Sequence, residues 1–585
     1  MNTQFKYREY QRETIDKINE AFKTHKLVFL DAPTGAGKSI INAFVCNEQG
    51  TAYMTTTQRQ LVDQLQDTFD YVIPGIGVTI KGRDNYECAF AESINLKTEN
   101  DEPITASDAP CVMGKFNGKS FTPTKCPEYQ AGNCIYYNLR HKAMQSTIAA
   151  TTMKYFVKGI LPKLPIYTEQ VIGGFNGNVG EVRVNWNALS EDNEDNDEEK
   201  EEPDTWKSRK VLVIDEAHTL SEALIDEYTL NFNDSVKLPD FNFGEFWKKV
   251  SKIPKGSENE DLKIAGILNE SLLKYVEDKS IELDNIQMKM ENIASGDPML
   301  AVLGKDELRI AKAIHNANNK MTAIDPKEKY IFIRNDEEHD LTWKPYTIEN
   351  MVRNQWNKFE KILLSSATFL NIPMLVKECG LPEDYAVVQV PNVFPKEKAK
   401  IYLANMAVLN KNNIEQNYGI LAKEIERIAE KFKDSKGLVH CISYNNQYNL
   451  KKRLPSSRYI THNRGYDRER QRKAWEDSTG NGIFLSVGME EGLDLKYDKA
   501  RFQIIVKAPY PYFGDPWIQE HYKKDGQEWY DTKMLLKVLQ AAGRVMRAKD
   551  DSGYTYILDG KVRKLIMEYK DKLPLWFKER LTFLI

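Results

Sequence analysis

Short apolar runs punctuate this chain, and each stops on small, hydroxyl or charged residues. They are Val28–Leu30, Val211–Ile214, Leu363-Leu, Leu438-Val-His-Cys-Ile, Ile483-Phe-Leu and Ile504-Ile-Val. Runs of this length predict strands buried on both faces, as in parallel sheets covered by helices. Between them the period changes. Ile264, Ile267, Leu268, Leu272 and Val276 fall at helical spacing, and Leu303, Leu308 and Ile314 less regularly, so residues from about 236 to 345 predict a mainly helical insertion. Tyr330-Ile-Phe-Ile and Leu341-Thr-Trp read as a hairpin that returns the chain to the sheet. A fresh set of strands starts near residue 386. The pattern is α/β, in two halves.

The residues just past each strand carry the chemistry. Val28–Leu30 leads into Ala32-Pro-Thr-Gly-Ala-Gly-Lys-Ser, a phosphate loop with alanine in its first position. Thr34, Gly35, Ala36 and Gly37 form a turn whose backbone amides curl round phosphate oxygens. Lys38 suits the β- and γ-phosphates, and Ser39 suits Mg²⁺. Val211–Ile214 delivers Asp215-Glu-Ala-His, an Asp-Glu-Ala-His box at the carboxyl end of a strand, where α/β sheets bind ligands. Asp215 suits the Mg²⁺ shell and Glu216 the attacking water. Upstream, Arg8 and Gln11, beside an amphipathic helix, resemble the adenine-reading motif of superfamily 2 helicases. Ser366-Ala-Thr, after Leu363-Leu, resembles the element that in helicases couples phosphate state to domain movement.

The second half holds Gly492 and Asp494 in Glu491-Gly-Leu-Asp, and then Gln540-Ala-Ala-Gly-Arg-Val-Met-Arg on a helix. There Gln540, Arg544 and Arg547 fall on one face, and paired arginines aimed at a γ-phosphate stabilise the charge of phosphoryl transfer. The two halves predict a two-lobed ATPase closing on its nucleotide.

Composition adjusts this picture modestly. A chain of 585 residues implies several domains. It shows no apolar run able to cross a bilayer and no leader pattern, which predicts a cytoplasmic protein, or a nuclear one in a eukaryote, with no membrane partner. The net charge of −4 disfavours nucleic acid only superficially. Residues 191–204 hold ten acids and one lysine, and the remainder of the chain is slightly basic. Thr55-Thr-Thr-Gln and Ser443-Tyr444 are candidate phosphate contacts. Tyr510, Tyr512, Phe513 and Trp517 could stack bases, although packing is the commoner use of such residues.

Four of the seven cysteines, Cys88, Cys111, Cys126 and Cys134, lie between the phosphate loop and the acidic box with spacing C-x22-C-x14-C-x7-C. Zinc modules pair cysteines two to four residues apart, so zinc matches poorly. Thiolates scattered along an irregular loop suit an iron–sulfur cluster, and free thiols are the third reading.

The chain resembles the XPD/DinG family of iron–sulfur superfamily 2 DNA helicases. Lys81-Gly-Arg-Asp-Asn-Tyr-Glu-Cys88 is similar to the segment that leads into that family's first cluster ligand. Cys134, Tyr136-Tyr137 and a helix ending in Ile148-Ala-Ala-Thr-Thr-Met are similar to its exit. The order of motifs agrees over nearly the whole chain. The resemblance implies two RecA-like lobes, with residues 1–87, 135–235 and 346–385 in the first and 386–585 in the second. It places an iron–sulfur domain at 88–134 and a helical arch at 236–345. It also implies 5′→3′ unwinding driven by Mg-ATP, with the four cysteines holding a [4Fe-4S] cluster. The expected partners are single-stranded or forked DNA and proteins of repair or replication, the chain itself being a monomer. Residues 159–209, which include the acidic run, exceed the family pattern. Two other functions fit the same motifs: an RNA helicase or non-unwinding translocase, and a nucleotide-gated structural subunit.

Overall fold

The first strand shows why the apolar runs become parallel sheet. In Leu27–Asp31, Leu27 and Phe29 enter one buried cluster, while Val28 and Leu30 enter another on the opposite face. Such a strand is stable only between two covering layers. The first sheet runs Tyr385–Gln389, Leu27–Asp31, Lys361–Ser366, Val211–Asp215, Ala52–Thr56, Ile148–Thr152, Gly77–Ile80, every pair parallel. The second runs Tyr459–Ile460, Ile483–Ser486, Gly437–His440, Phe502–Ile505, Tyr554–Ile557, Ile401–Leu403, Leu581–Phe583, again parallel throughout. These two sheets are the expected α/β lobes.

The computed structural model describes residues 7–57, 59–97, 102–116, 119–164, 206–294, 297–321, 324–325, 327–393, 395–410, 412–454, 457–488, 495, 497–544 and 551–583. Among them no helix is long and apolar enough to cross a membrane.

Three boundaries differ from expectation. Strand Tyr385–Gln389 pairs with Leu27–Asp31, so the first sheet continues past residue 386, where the second lobe was expected to begin. The helix after Cys134 ends at Gln145, and Ile148–Thr152 is an interior strand between Ala52–Thr56 and Gly77–Ile80. The hairpin Tyr330–Asn335 and Asp340–Pro345 does not join the main sheet. It pairs with Leu230–Asn233 in a separate antiparallel sheet beneath the helical insertion.

That insertion is a helix pair, Glu260–Glu291 and Pro298–Met321. Ile264, Leu268 and Leu272 are fully buried, so the helical period did mark the inward face. The second helix leans on the cysteine-bearing segment, where Leu308 packs beside Cys88 and Cys126 and the Lys312 ammonium lies 2.5 Å from Asp108.

Indole donors pin the lobes to each other. Trp576 Nε1 donates to Ala367 O at 2.7 Å, and Trp517 Nε1 to Pro345 O at 2.8 Å. Trp529 Nε1 donates to Glu378 Oε1 at 2.8 Å, and Lys533 meets the other oxygen of that carboxylate at 3.2 Å. Trp517, Trp529 and Lys533 all lie on Pro516–Ala542, which breaks at Gly526 (φ 79°) into two helical segments. The segment after the break carries Gln540 toward the cleft.

Candidate functional site

The phosphate loop leaves its strand and turns through two left-handed glycines, Gly35 and Gly37, both at φ 81°, before helix Lys38–Gln49 begins. At Gly37 a side chain is excluded twice over, because a Cβ there would lie 2.5 Å from Gln11 Nε2. The upstream helix Glu9–Ala21 is docked on this loop. Gln11 Nε2 and Tyr10 OH each donate to Ala36 O at 3.2 Å, and Arg8 Nη1 donates to Gly35 O at 3.4 Å. Arg8 and Gln11 are thus brought to the nucleotide loop. Lys38 is buried, with Nζ 3.6 Å from Glu216 Oε1. Thr34 and Ser39 are half-buried along the same turn.

Register aligns the catalytic candidates. Asp215 stands between Thr56 and Ser365 at the carboxyl ends of three adjacent strands, and Asp31 pairs with Ser366 one strand further on. Burial, reinforced by the charge of Glu216, raises the Asp215 carboxyl to about 7 against the opposing pull of Lys38. A divalent cation would restore its charge. Glu216 adopts φ 51°, a left-handed backbone that is strained for a non-glycine residue, and its N–H bonds Asp215 Oδ1 at 3.0 Å. His218 Nδ1 lies 2.7 Å from Ser366 Oγ and 3.4 Å from Glu216 Oε2, and burial lowers its pKa, so the ring is neutral. The acidic box and the Ser366-Ala-Thr element are therefore in contact, and Thr368 N–H closes on Ser366 Oγ at 3.1 Å.

The second lobe completes the site. A Cβ on Gly543 would lie 3.2 Å from Thr34 Oγ1, so the arginine motif abuts the phosphate loop across the cleft. Arg544 is close enough to His218 to depress its pKa. Gln540 is buried on the last turn of Pro516–Ala542, and its Oε1 has no hydrogen-bond partner among the described residues. Gly492, Asp494 and Arg547 lie outside the described residues.

Cys88, Cys111, Cys126 and Cys134 line one cavity of about 380 Å³, counting its open mouth. None of the four is in a disulfide. Local structure explains how distant sequence positions converge. Cys88, Cys126 and Cys134 are each the residue before a helix, at Ala89–Ser93, Pro127–Gln130 and Ile135–Gln145, and Cys88 Sγ accepts from Ala91 N–H at 3.5 Å. Arg83 is half-buried next to them, 5.0 Å from the Tyr136 ring centroid. As bare thiols, Cys88, Cys111 and Cys134 are pushed up by burial, Cys111 to about 12, and a bound electropositive centre would favour these three as thiolates. Among the described residues no three His, Cys, Asp or Glu side chains close on a single ion. Four thiols lining one cavity are the soft donor set that an iron–sulfur cluster takes, one thiolate per iron.

The expected nucleic-acid contacts fare unevenly. Thr55 and Thr56 are fully buried inside their strand and cannot touch a backbone; only Thr57 emerges, with Thr219 Oγ1 donating to its Oγ1 at 3.2 Å. Gln58 lies outside the described residues. Ser443 caps helix Tyr444–Lys451, accepting from Asn446 N–H at 3.2 Å. Trp517 is buried in packing, whereas Tyr512 is 79% exposed and Phe513 47%. Sequence reading missed Trp576, Glu378 and Lys533, whose partners are far away in the chain. The Cys-Pro pair at 126–127 was a helix-start signal that could have been read.

The Helicase C-terminal domain family matches residues 425–580, and the Type III restriction enzyme, res subunit family matches residues 4–117. The regulator of telomere elongation helicase 1 homologue of Drosophila melanogaster is 31% identical over 106 residues, 16% of this chain and 11% of that protein. Its Drosophila virilis counterpart is 30% identical over 124 residues, 19% of this chain and 12% of that protein. The chain thus matches about a tenth of the length of these relatives. A solved XPD helicase superposes with TM-score 0.57 at 17% identity, covering 99% of this chain and 100% of that one. Xpd4 of S. tokodaii gives 0.56 at 14%, again covering 99% and 100%. At such identities the likeness is one of fold.

Proposed function

We propose that this chain, a superfamily 2 helicase of the XPD/DinG type, hydrolyses Mg-ATP to move 5′→3′ along single-stranded DNA and part the duplex ahead of it. The observation that carries the reading is the meeting of three motifs at one cleft: Thr34 of the phosphate loop against Gly543 of the arginine motif, with Glu216 and His218 of the acidic box beside them. In this reading the phosphate loop and Lys38 hold the β- and γ-phosphates, and Ser39 and Asp215 hold Mg²⁺. Glu216 orients the attacking water and takes its proton, while Arg544 and Arg547 neutralise charge on the γ-phosphoryl oxygens. Gly492, Asp494 and Gln540 would serve the nucleotide from the second lobe. Arg8 and Gln11 face the base and report loop geometry through Gly35 and Ala36.

Closure of the lobes would be sensed through His218 and Ser366, which tie the acidic box to the Ala367 carbonyl gripped by Trp576. Cys88, Cys111, Cys126 and Cys134 would hold a [4Fe-4S] cluster, whose contribution is to brace an irregular segment with only a small core of its own. Proteins of DNA repair or replication are the expected partners.

Single-stranded DNA should raise the steady-state ATPase rate at least about tenfold at saturating Mg-ATP, since productive closure needs the strand. An ATPase stimulated equally by RNA would favour the RNA reading. A rate that no nucleic acid changes would overturn the motor assignment and leave a nucleotide-gated subunit.

A further inference from the structure

A glutamine sits where the second sheet should be apolar. Gln503 lies mid-strand in Phe502–Ile505 and is fully buried, in register between Leu438 and Thr555. Its neighbour Ile505 packs with Leu535, Val538, Leu539 and Ala541 of Pro516–Ala542, a helix that carries Gln540 but, contrary to expectation, ends before Arg544. An amide buried there destabilises the fold unless it is hydrogen-bonded.

Gln503 is bonded in a way that fixes its orientation. Nε2 uses both protons, on Ala541 O at 2.6 Å and on Thr555 Oγ1 at 2.8 Å. Oε1 lies 3.1 Å from His440 Nε2 and must accept from it, which sets the histidine tautomer. Flipping the amide would set oxygen against the Ala541 carbonyl. The arrangement therefore has one low-energy state.

Ala541 O is also the acceptor for Arg544 N–H, at 3.1 Å. It belongs to the last turn of Pro516–Ala542, where helix carbonyls run out of intrahelical donors. The next turn brings Gly543 within side-chain distance of Thr34. One carbonyl thus receives both the sheet's clamp and the amide of the arginine that faces the nucleotide.

We infer that Gln503 is a positioning residue for ATP hydrolysis: its amide anchors the end of helix Pro516–Ala542, two residues before Arg544, so that Arg544 meets the γ-phosphate. The inference rests on the role proposed above for Arg544. Displacement of a charge-stabilising group by about 1 Å costs on the order of 100-fold in rate, while ground-state binding of ATP depends mostly on the first lobe.

The test is a double-mutant cycle on DNA-stimulated ATPase with the full chain. Gln503→Met is expected to lower kcat about 10- to 100-fold, with the KM for ATP changed less than about threefold. Thr555→Val, which removes one acceptor, should lower kcat less and in the same direction. Neither change should lower kcat further once Arg544→Ala is present. Wild-type kcat in Gln503→Met, or the same fold-loss with Arg544 already removed, would overturn the inference. Should Gln503→Met not fold, Thr555→Val alone decides by the same criteria. Full activity in Arg544→Ala would instead show that the role of Arg544 is wrong.

Discussion

Glu216 holds a left-handed backbone at the end of a buried strand, and nothing in its sequence position requires that conformation for packing. Strain of about 1–3 kcal/mol at one residue persists where function fixes it, here by aiming the carboxylate across from Lys38. Glu216→Gln keeps the backbone and the shape but cannot accept a proton. It should reduce ATP turnover by at least about 100-fold while nucleotide affinity stays within a few-fold of wild type. Turnover near the wild-type rate would remove Glu216 from the chemistry. The phosphate loop and acidic box were legible because strand, turn and chemistry are contiguous in sequence. Gln503 was not, because the significance of a buried amide depends on His440, Thr555 and Ala541, which only the folded sheet assembles.

Pro516–Ala542 does two jobs on either side of the break at Gly526. Its first segment stacks His521 on Tyr346, with ring centroids 4.4 Å apart, and its second carries the ion pair of Lys533 with Glu378. Burial opposes charge on both partners, yet the pair wins. Burial tends to raise Glu378, but Lys533, Ser221 and Trp529 hold it below the ordinary range. Burial likewise tends to lower Lys533, but Glu378 and Glu222 hold it above its own range. Lys533→Met leaves a buried carboxylate uncompensated and should destabilise the protein by about 3–5 kcal/mol at pH 7. Linkage sets the sign with pH. A depressed carboxyl stabilises above its unfolded pKa, and that stability is lost as pH falls through the folded value. In the variant Glu378 is free to protonate as pH falls, so the gap between variant and wild type in urea unfolding should shrink toward pH 4. A gap that stays constant would mean that the pair is not what was lost. Sequence period predicted the inward face of Glu260–Glu291 well. It could not reveal that Tyr385–Gln389 belongs to the first sheet, because a parallel strand's partner lies on the far side of a crossover.

At the scale of the molecule, two lobes are joined by buried indoles and an ion pair, and the cysteine segment is braced by the helical insertion through Leu308 and Lys312. The four thiols gather because Cys88, Cys111 and Cys126 share one small core, while Cys134, packed on the core of the first lobe, lines the same cavity. Their wide spacing was visible in the sequence, and the convergence was not. Directional unwinding is the central claim. Strand displacement by anaerobically purified protein, on duplexes bearing a 5′ or a 3′ single-stranded tail, tests it most directly. Mg-ATP-dependent release from the 5′-tailed duplex, absent with Glu216→Gln and lost with Cys111→Ser, is the expected result. Release from the 3′-tailed duplex alone would contradict the polarity, and full release by Cys111→Ser would contradict the role of the thiol cavity.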